Sequence, residues 1–141
     1  MKTIIASKDA PNAIGPYAQA ISVGNIVYTS GQLGINPATG KLEEGIEAQT
    51  HMSLKNLQAI LAEKGMTLDD VVKTTVFVKN LDDFTVVNQI YGNYFTEYPA
   101  RSCVQVARLP KDVKVEIECI VIDTLVYEQQ MAAQESGFAF H

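Results

Sequence analysis

The sequence predicts an α+β domain in which two helices pack on one face of a mixed β-sheet. Apolar residues recur every second position in some segments and at helical spacing in others. These segments follow one another in the order strands, helix, strand, helix, strands, which is typical of that architecture. The chain has 141 residues, 47% of them hydrophobic, which is enough for one domain with a sizeable core.

A hairpin opens the predicted sheet. Ala18–Val23 and Ile26–Ser30 are its strands, and Gly24 and Asn25 between them form a two-residue turn dipeptide. Asn36–Gly40 is a second turn, because its proline presets φ and its final glycine can take the left-handed conformation that closes it.

The first helix is predicted over Ile46–Lys64, and Gly65 is its stop signal. Its inward face carries residues at helical spacing, namely Ile46, Thr50, Leu54, Leu57 and Leu61. Val71–Lys79 then alternates with period two, as a strand does. One face of that strand is predicted to carry Val72, Thr74, Val76 and Val78.

The second helix is predicted to start at Asp82 as its N-cap and to run to about Phe95, with Leu81 and Val86 as a hydrophobic staple. Its buried face is predicted to carry Phe84, Val87, Tyr91 and Tyr94. The two strands that close the domain are Arg101–Ala107 and Val113–Leu125.

We place the domain at residues 1–123 and treat residues 124–141 as a C-terminal extension of unknown role. Glu128–Glu135 can form a short helix there, with Gly137 as its end. A polar extension without chemistry is the favoured interpretation.

Composition argues against several classes of function. The net charge of −5 and the pI of about 4.9 disfavour an extended nucleic-acid-binding face. No apolar run is long enough to span a membrane, and Met1–Lys8 is too short and too polar for a signal peptide. Cys103 and Cys119 lack CxxC spacing, which indicates reduced thiols in a cytoplasmic protein. His51 and His141 lie far apart without a cysteine or carboxylate cluster, so no metal site is predicted.

The only two arginines, Arg101 and Arg108, lie in one short stretch, Tyr98–Pro110. An arginine offers a planar fork of donors that can hold a carboxylate at two points, which a lysine cannot do. Arg101 at the entrance of an apolar strand is therefore a candidate anion-binding residue. The alternative is a surface arginine paired with one of the sixteen acidic residues.

Glu116 and Glu118 share one face of the last apolar strand. A carboxylate in such a strand must be paired, hydrogen-bonded or exposed. A solvent-facing sheet edge explains Lys114 and Glu116 well, but Glu118 less well. If Glu118 lines a pocket near Arg101, it can position or activate a water.

Three more residues are candidates for the same pocket. Cys103 shares a strand face with Arg101. A thiol nucleophile needs a histidine base nearby, and the only one inside the fold, His51, is predicted on a helix outside the pocket. We therefore interpret Cys103 as a pocket wall. Tyr17 follows a Gly-Pro turn and can overhang a cleft or pack in the core. Ser30 ends a strand, where it can donate hydrogen bonds to a ligand or belong to a plain turn.

Several separate motifs resemble the RidA family, also called YjgF. They lie in order between about Lys2 and Ile122, in the runs Ala13–Tyr17, Thr29–Gln32, Lys73–Val78, Leu81–Phe84, Tyr98–Val104, Val106–Lys111 and Val115–Glu118. The resemblance implies a chorismate-mutase-like fold, assembled as a homotrimer with clefts between subunits. It implies an enamine/imine deaminase without a cofactor, which hydrolyses 2-iminoacids such as 2-iminobutanoate and 2-iminopropanoate to 2-oxoacids and ammonia.

The resemblance also implies roles for single residues. The carboxylate-binding arginine falls on Arg101, the water-orienting glutamate on Glu118 and the pocket cysteine on Cys103. The other pocket positions fall on Tyr17, Ser30 and Asn88.

Two departures from the family pattern bear on substrate range. The stretch Phe95–Pro99 is shorter than in many members, and the chain continues past the strand that carries Glu118. A protein that binds small carboxylate metabolites without turnover is an alternative function. An RNA-directed nuclease or translation inhibitor is a third, which the acidic pI and the absence of an evident pair of catalytic histidines disfavour.

Overall fold

The computed structural model describes residues 1–139. Seven strands form one sheet: β1 (Lys2–Ile5), β2 (Ala20–Val23), β3 (Ile26–Thr29), β4 (Gln32–Leu33), β5 (Val71–Val78), β6 (Ala100–Gln105) and β7 (Val115–Ile122). The helices are α1 (Gly45–Ala62), α2 (Phe84–Gly92) and α3 (Thr124–Ala139). Within residues 1–139, no helix has the length and apolar character needed to cross a membrane.

The sheet is mixed, as predicted. Its strand order is β1-β2-β3-β7-β5-β6, and β4 pairs with β7 beside this path. β5 and β6 run parallel and are joined through α2, while the other pairs are antiparallel. β6 therefore forms one edge of the sheet, next to the helix that connects it.

The predicted hairpin is confirmed. β2 and β3 pair in antiparallel register with Val23 opposite Ile26, which leaves Gly24 and Asn25 as the turn. β1 was not predicted, because only Ile5 of its four residues is buried and no turn signal marks its pairing with β2.

The prediction of two helices on one sheet face is confirmed. One hydrophobic core contains the buried residues of α1 and α2 together with alternate residues of β5 and β7. The buried face of α1 is wider than predicted, because it also includes polar side chains that the apolar pattern did not mark. Asn56 donates hydrogen bonds to the carbonyls of Leu33 (3.1 Å) and Ile35 (2.9 Å), and Gln49 accepts one from the Lys114 amide (2.8 Å). These bonds attach α1 to the chain after β4 and to the start of β7.

One face assignment in β5 was wrong. Thr74, Val76 and Val78 are buried against the helices as predicted, but Val72 is 40% exposed. A bulge after Val71 shifts the alternation, so that Val71 rather than Val72 points into the core.

The start of the second helix was also misplaced. Leu81–Asp83 form a 3₁₀ turn before α2, and Asn80, not Asp82, is the capping residue: its side chain accepts a hydrogen bond from the Asp82 amide at 2.9 Å. Val87 and Tyr91 are buried as predicted, whereas Phe84 remains 38% exposed.

The other face of the sheet is not covered by α1 or α2 and carries both apolar and charged residues. Buried and partly exposed residues alternate strictly along β7, because successive side chains of a strand point to opposite faces. The partly exposed residues on this face are Glu116, Glu118, Ile120 and Ile122. Tyr28 pairs with Ile120 across β3 and β7 and is 48% exposed. We call this the open sheet face.

The C-terminal extension contains a helix, as predicted, but a longer one. α3 covers Thr124–Ala139, so Gly137 does not end it. The division of the chain into a domain of residues 1–123 and a C-terminal extension stays a prediction.

Candidate functional site

Arg101 projects from β6 toward α2 and is held in one orientation. Its Nη1 donates a 2.7 Å hydrogen bond to Oδ1 of Asn88, and its guanidinium carbon lies 4.9 Å from the ring centroid of Tyr91 and 5.4 Å from that of Phe84. Within residues 1–139, no carboxylate lies at ion-pair distance from Arg101, so the surface ion pair considered above is not formed. Asn88 takes one of the five guanidinium donors, which leaves a fork for an anion.

A cavity of about 420 Å³ opens on Arg101. It is lined by Asn88, Tyr91, Gly92, Tyr98, Pro99 and Arg101. The Tyr91 hydroxyl lies 2.7 Å from Thr74 Oγ1, and burial raises the pKa of Tyr91, so this phenol is neutral under ordinary conditions. Arg101 is thus the charged group of this cavity. We call Asn88, Tyr91 and Arg101 the arginine half-site.

The residue pattern alone did not single out Asn88, which came only from the family resemblance. A usable signal was its helical spacing with Phe84 and Tyr91, which places all three on the α2 face that meets β6.

Cys103 lies on the same face of β6 as Arg101 but packs partly against the hydrophobic core and does not line the cavity. Burial raises the pKa of its thiol, and the nearby charge of Arg101 lowers that pKa by less. His51 is engaged elsewhere, since its Nδ1 lies 2.8 Å from the Tyr94 hydroxyl. A thiolate nucleophile needs an activating base or a lowered pKa, and Cys103 has neither here.

A second cavity, of about 670 Å³, holds Tyr17 and Ser30. Tyr17 is 53% exposed, which rules out the core-packing interpretation, and its hydroxyl accepts a 3.3 Å hydrogen bond from the Ile14 amide. The Ser30 hydroxyl donates to the Ala18 carbonyl at 2.5 Å. Its proton is therefore committed, and Ser30 can offer its oxygen to a ligand only as an acceptor.

Glu116 lies in this second cavity, although the sequence favoured a solvent-facing role for it. Its carboxyl lies against Gly31: a Cβ built at Gly31 would come within 2.6 Å of Glu116 Cδ. Burial raises the pKa of Glu116, and the negative charge of Glu118 raises it further. No spacing in the sequence distinguishes Glu116 from Glu118, because both lie on the same face of β7. We call Tyr17, Ser30 and Glu116 the glutamate half-site.

Within one chain, Glu118 does not lie next to Arg101. Thr75 of β5 pairs with both Glu118 and Ser102, whereas Arg101 pairs with Thr74. Neighbouring residues of a strand point to opposite faces, so Arg101 lies on the helix-covered face and Glu118 on the open sheet face. Glu118 also lines neither of the two cavities.

The arrangement separates two chemical functions. The arginine half-site can hold a carboxylate, and the glutamate half-site presents a carboxyl group that can bind and orient a water. Among residues 1–139, no group of three or more histidine, cysteine, aspartate or glutamate residues is placed to hold a metal ion.

Comparison with known proteins gives consistent matches. The family model described as Endoribonuclease L-PSP matches residues 7–123. The 2-iminobutanoate/2-iminopropanoate deaminase of Escherichia coli (strain K12) is 52% identical over 126 residues, which are 86% of this chain and 98% of that protein. A RutC family protein of Haemophilus influenzae is 54% identical over 127 residues, with the same shares covered. The crystal structure of E. coli TdcF with bound serine superimposes with a TM-score of 0.83 at 46% identity, covering 85% of this chain and 98% of that one.

Proposed function

Because this chain belongs to the Endoribonuclease L-PSP family, which is the RidA/YjgF family, we infer that it is a hydrolase of C=N bonds. We propose that it converts 2-iminoacids such as 2-iminobutanoate and 2-iminopropanoate to 2-oxoacids and ammonia. The observation that carries the proposal is Arg101, which is oriented by Asn88 and Tyr91 at a cavity and lacks a carboxylate partner within residues 1–139.

The reaction needs positioning more than a reactive protein group. Water adds to the imine carbon, a proton reaches the nitrogen, and the carbinolamine then loses ammonia to leave the 2-oxoacid. The imine carbon is already electrophilic, so no covalent nucleophile is required. Arg101 would hold the substrate carboxylate through two charge-assisted bonds and so fix the imine carbon relative to the water.

Glu116 is our choice for the group that orients this water. The family resemblance placed that role on Glu118, but Glu116 is the one that shares a cavity with Tyr17 and Ser30. A carboxylate whose pKa is raised by burial is a stronger base than an ordinary glutamate, which suits it to accept a proton from the attacking water.

The two half-sites would meet between subunits of a homotrimer. They occupy different parts of one chain, and the open sheet face carries exposed apolar groups that a second copy would cover, including Tyr28 and Val104, which are 48% and 42% exposed. A contact between two different patches runs head to tail and closes into a ring at a suitable rotation. In such a ring, each cleft would combine the arginine half-site of one subunit with the glutamate half-site of its neighbour.

We place the protein in the cytoplasm. Cys103 and Cys119 are both free thiols, which suits a reducing compartment.

A coupled assay tests the activity. A pyridoxal-phosphate dehydratase generates 2-iminobutanoate from threonine, and semicarbazide competes for it. The proposal predicts that the protein speeds release of 2-oxobutanoate and suppresses formation of the semicarbazone. If a large excess of protein leaves the partition unchanged, the deaminase proposal fails for this substrate.

Binding of carboxylate metabolites without turnover is the second candidate. It rests on the same Arg101 cavity, and TdcF with bound serine is a relative that holds a small carboxylate. Calorimetry with 2-oxobutanoate distinguishes the two: heat of binding without acceleration of imine hydrolysis favours this candidate.

RNA cleavage is the third candidate, since the description of the matching family model names an endoribonuclease. The net charge of −5 and the engagement of His51 with Tyr94 speak against it. RNA binding that weakens steeply with added salt would favour it.

A further inference from the structure

Tyr98 stands at the edge of the arginine half-site and has no role in the chemistry above. It lines the Arg101 cavity but is 74% exposed. A Cβ built at Gly92 would lie 3.6 Å from the Tyr98 hydroxyl, so the ring extends across the cavity toward the end of α2. Among the side chains that the structure describes, none forms a hydrogen bond with that hydroxyl. An aromatic side chain in this position has most of its surface free for a ligand.

Tyr98 lies in the segment 93–99 between α2 and β6, which we call the rim, and this segment is anchored at both ends. Phe95 is buried, and its ring centroid lies 4.6 Å from that of Tyr91, which lines the cavity. At the other end, Pro99 fixes its own φ and leads directly into β6 at Ala100. The rim spans only residues 93–99, so the chain has little freedom to move Tyr98 away from the cavity.

The position of a bound carboxylate decides what Tyr98 can touch. Once Arg101 holds the carboxylate of a 2-iminoacid, the conjugated carboxylate and imine form a flat unit of fixed direction. A substrate side chain that stays on this side of the cleft then lies against the cavity wall. The apolar surface of that wall comes from Tyr91, Tyr98 and Pro99, so it favours an apolar substrate side chain.

We propose that Tyr98 determines which iminoacids the site takes, by packing its ring against the substrate side chain, and that the site favours 2-iminoacids with large apolar side chains over 2-iminopropanoate. This proposal rests on the proposed deaminase function and adds a substrate class to it. Each methylene that packs on the ring adds about fourfold to kcat/KM, the factor that corresponds to the burial of one such group. The ring is the active element, so removal of the hydroxyl alone changes little.

The test compares substrates within one assay. An L-amino acid oxidase generates 2-iminoacids from alanine, leucine and phenylalanine, and semicarbazide trapping reports how fast each is hydrolysed. Wild-type protein is compared with Tyr98→Phe, Tyr98→Ala and a control from the same rim, Glu97→Ala, whose side chain is exposed and outside the cavity. Because Tyr98 lies at the surface, the alanine variant is expected to fold, and its melting temperature is measured beside its activity.

The proposal predicts a selective loss. Tyr98→Ala lowers kcat/KM for the leucine- and phenylalanine-derived iminoacids about tenfold and leaves the alanine-derived one within twofold, whereas Tyr98→Phe and Glu97→Ala match wild type. A variant that loses the same factor on all three substrates, or on none, overturns the role of Tyr98 while the deaminase function stands. If wild-type protein accelerates none of the three, the deaminase function fails and this proposal with it.

Discussion

Arg101 donates a 2.7 Å hydrogen bond from Nη1 to the side-chain oxygen of Asn88, one turn of α2 away from the Tyr91 ring over which the guanidinium lies. The Asn88 amide accepts this hydrogen bond but carries no charge, so it orients Arg101 and leaves the positive charge of Arg101 for a ligand. A carboxylate at residue 88 would occupy the same fork that the substrate needs.

Substitutions at Asn88 separate orientation from competition. Asn88→Ala removes one hydrogen bond to a charged group, and we expect kcat/KM to fall about tenfold through a higher KM. Asn88→Asp is nearly the same size but pairs with Arg101, so we expect a larger loss in activity together with a higher melting temperature. Steady-state kinetics and thermal melts of both variants check this. A carboxylate variant as active as wild type would show that Arg101 does not bind the substrate.

Arg101→Lys is expected to behave like Arg101→Ala rather than like wild type. A lysine presents a point charge without the planar fork and cannot use the Asn88 bond and the substrate carboxylate in the same geometry. Loss of a partner from a desolvated charge pair costs about 3–5 kcal/mol, so both variants should lose at least about 100-fold in kcat/KM. Arg108→Lys is the matched control, since Arg108 is exposed and lines neither cavity, and it should remain within twofold.

Glu116→Gln is expected to lower kcat/KM on the order of 10²-fold, whereas Glu118→Gln should have a much smaller effect. In wild type, the rate should fall with acid at a higher pH than an ordinary glutamate would give, because the pKa of Glu116 is raised by burial and by Glu118. pH–rate profiles of the three proteins measure this. The reverse order of the two variants would return the water-orienting role to Glu118.

The same shift has a consequence for stability. Since folding raises the pKa of Glu116, its protonated form favours the folded state, and that contribution is lost as the pH rises through the folded-state pKa. Glu116→Gln carries no such charge and should melt higher than wild type above that pKa. The difference should vanish below the pKa of the unfolded chain. Melting temperatures of the two proteins from pH 4 to pH 8 test the sign, and a constant difference would contradict it.

Gly31→Ala should impair activity without much effect on folding. The new Cβ would meet the Glu116 side chain at 2.6 Å, and the flexible end of that side chain can move away. We expect kcat/KM to approach that of Glu116→Gln, and the double variant to lose no more than either single one. Gly34→Ala is the contrast, because its Cβ would meet the Gln49 backbone at 2.5 Å and should lower the melting temperature instead.

The sequence predicted those elements that a short run of residues determines by itself. The two-residue turn at Gly24 and Asn25 and the long apolar face of α1 were predictable because spacing alone determines them. The bulge after Val71 was not, since it depends on how β5 pairs with β7. Nor was the cap at Asn80, because Asp82 fits the same propensity two residues later.

Some residues of the candidate site could likewise be found from the sequence, and others only from the structure. Arg101 stood out by residue type and context, whereas its contacts with Asn88 and Tyr91 depend on how β6 packs beside α2. Glu116 and Glu118 share one strand face, and only the tertiary structure distinguishes them, because Glu116 lines the second cavity and packs against Gly31. The separation of the half-sites depends on sheet register, which no single segment encodes.

Mixing two inactive variants tests the central claim most directly. Arg101→Ala and Glu116→Gln are each expected to be nearly inactive when assembled alone. Unfolded together in equal amounts and refolded, they should recover about a quarter of wild-type kcat/KM, because a quarter of the clefts would pair an intact arginine half-site with an intact glutamate half-site of the neighbour. Activity no higher than that of the separate variants, in assemblies shown to be mixed, would contradict a site shared between subunits.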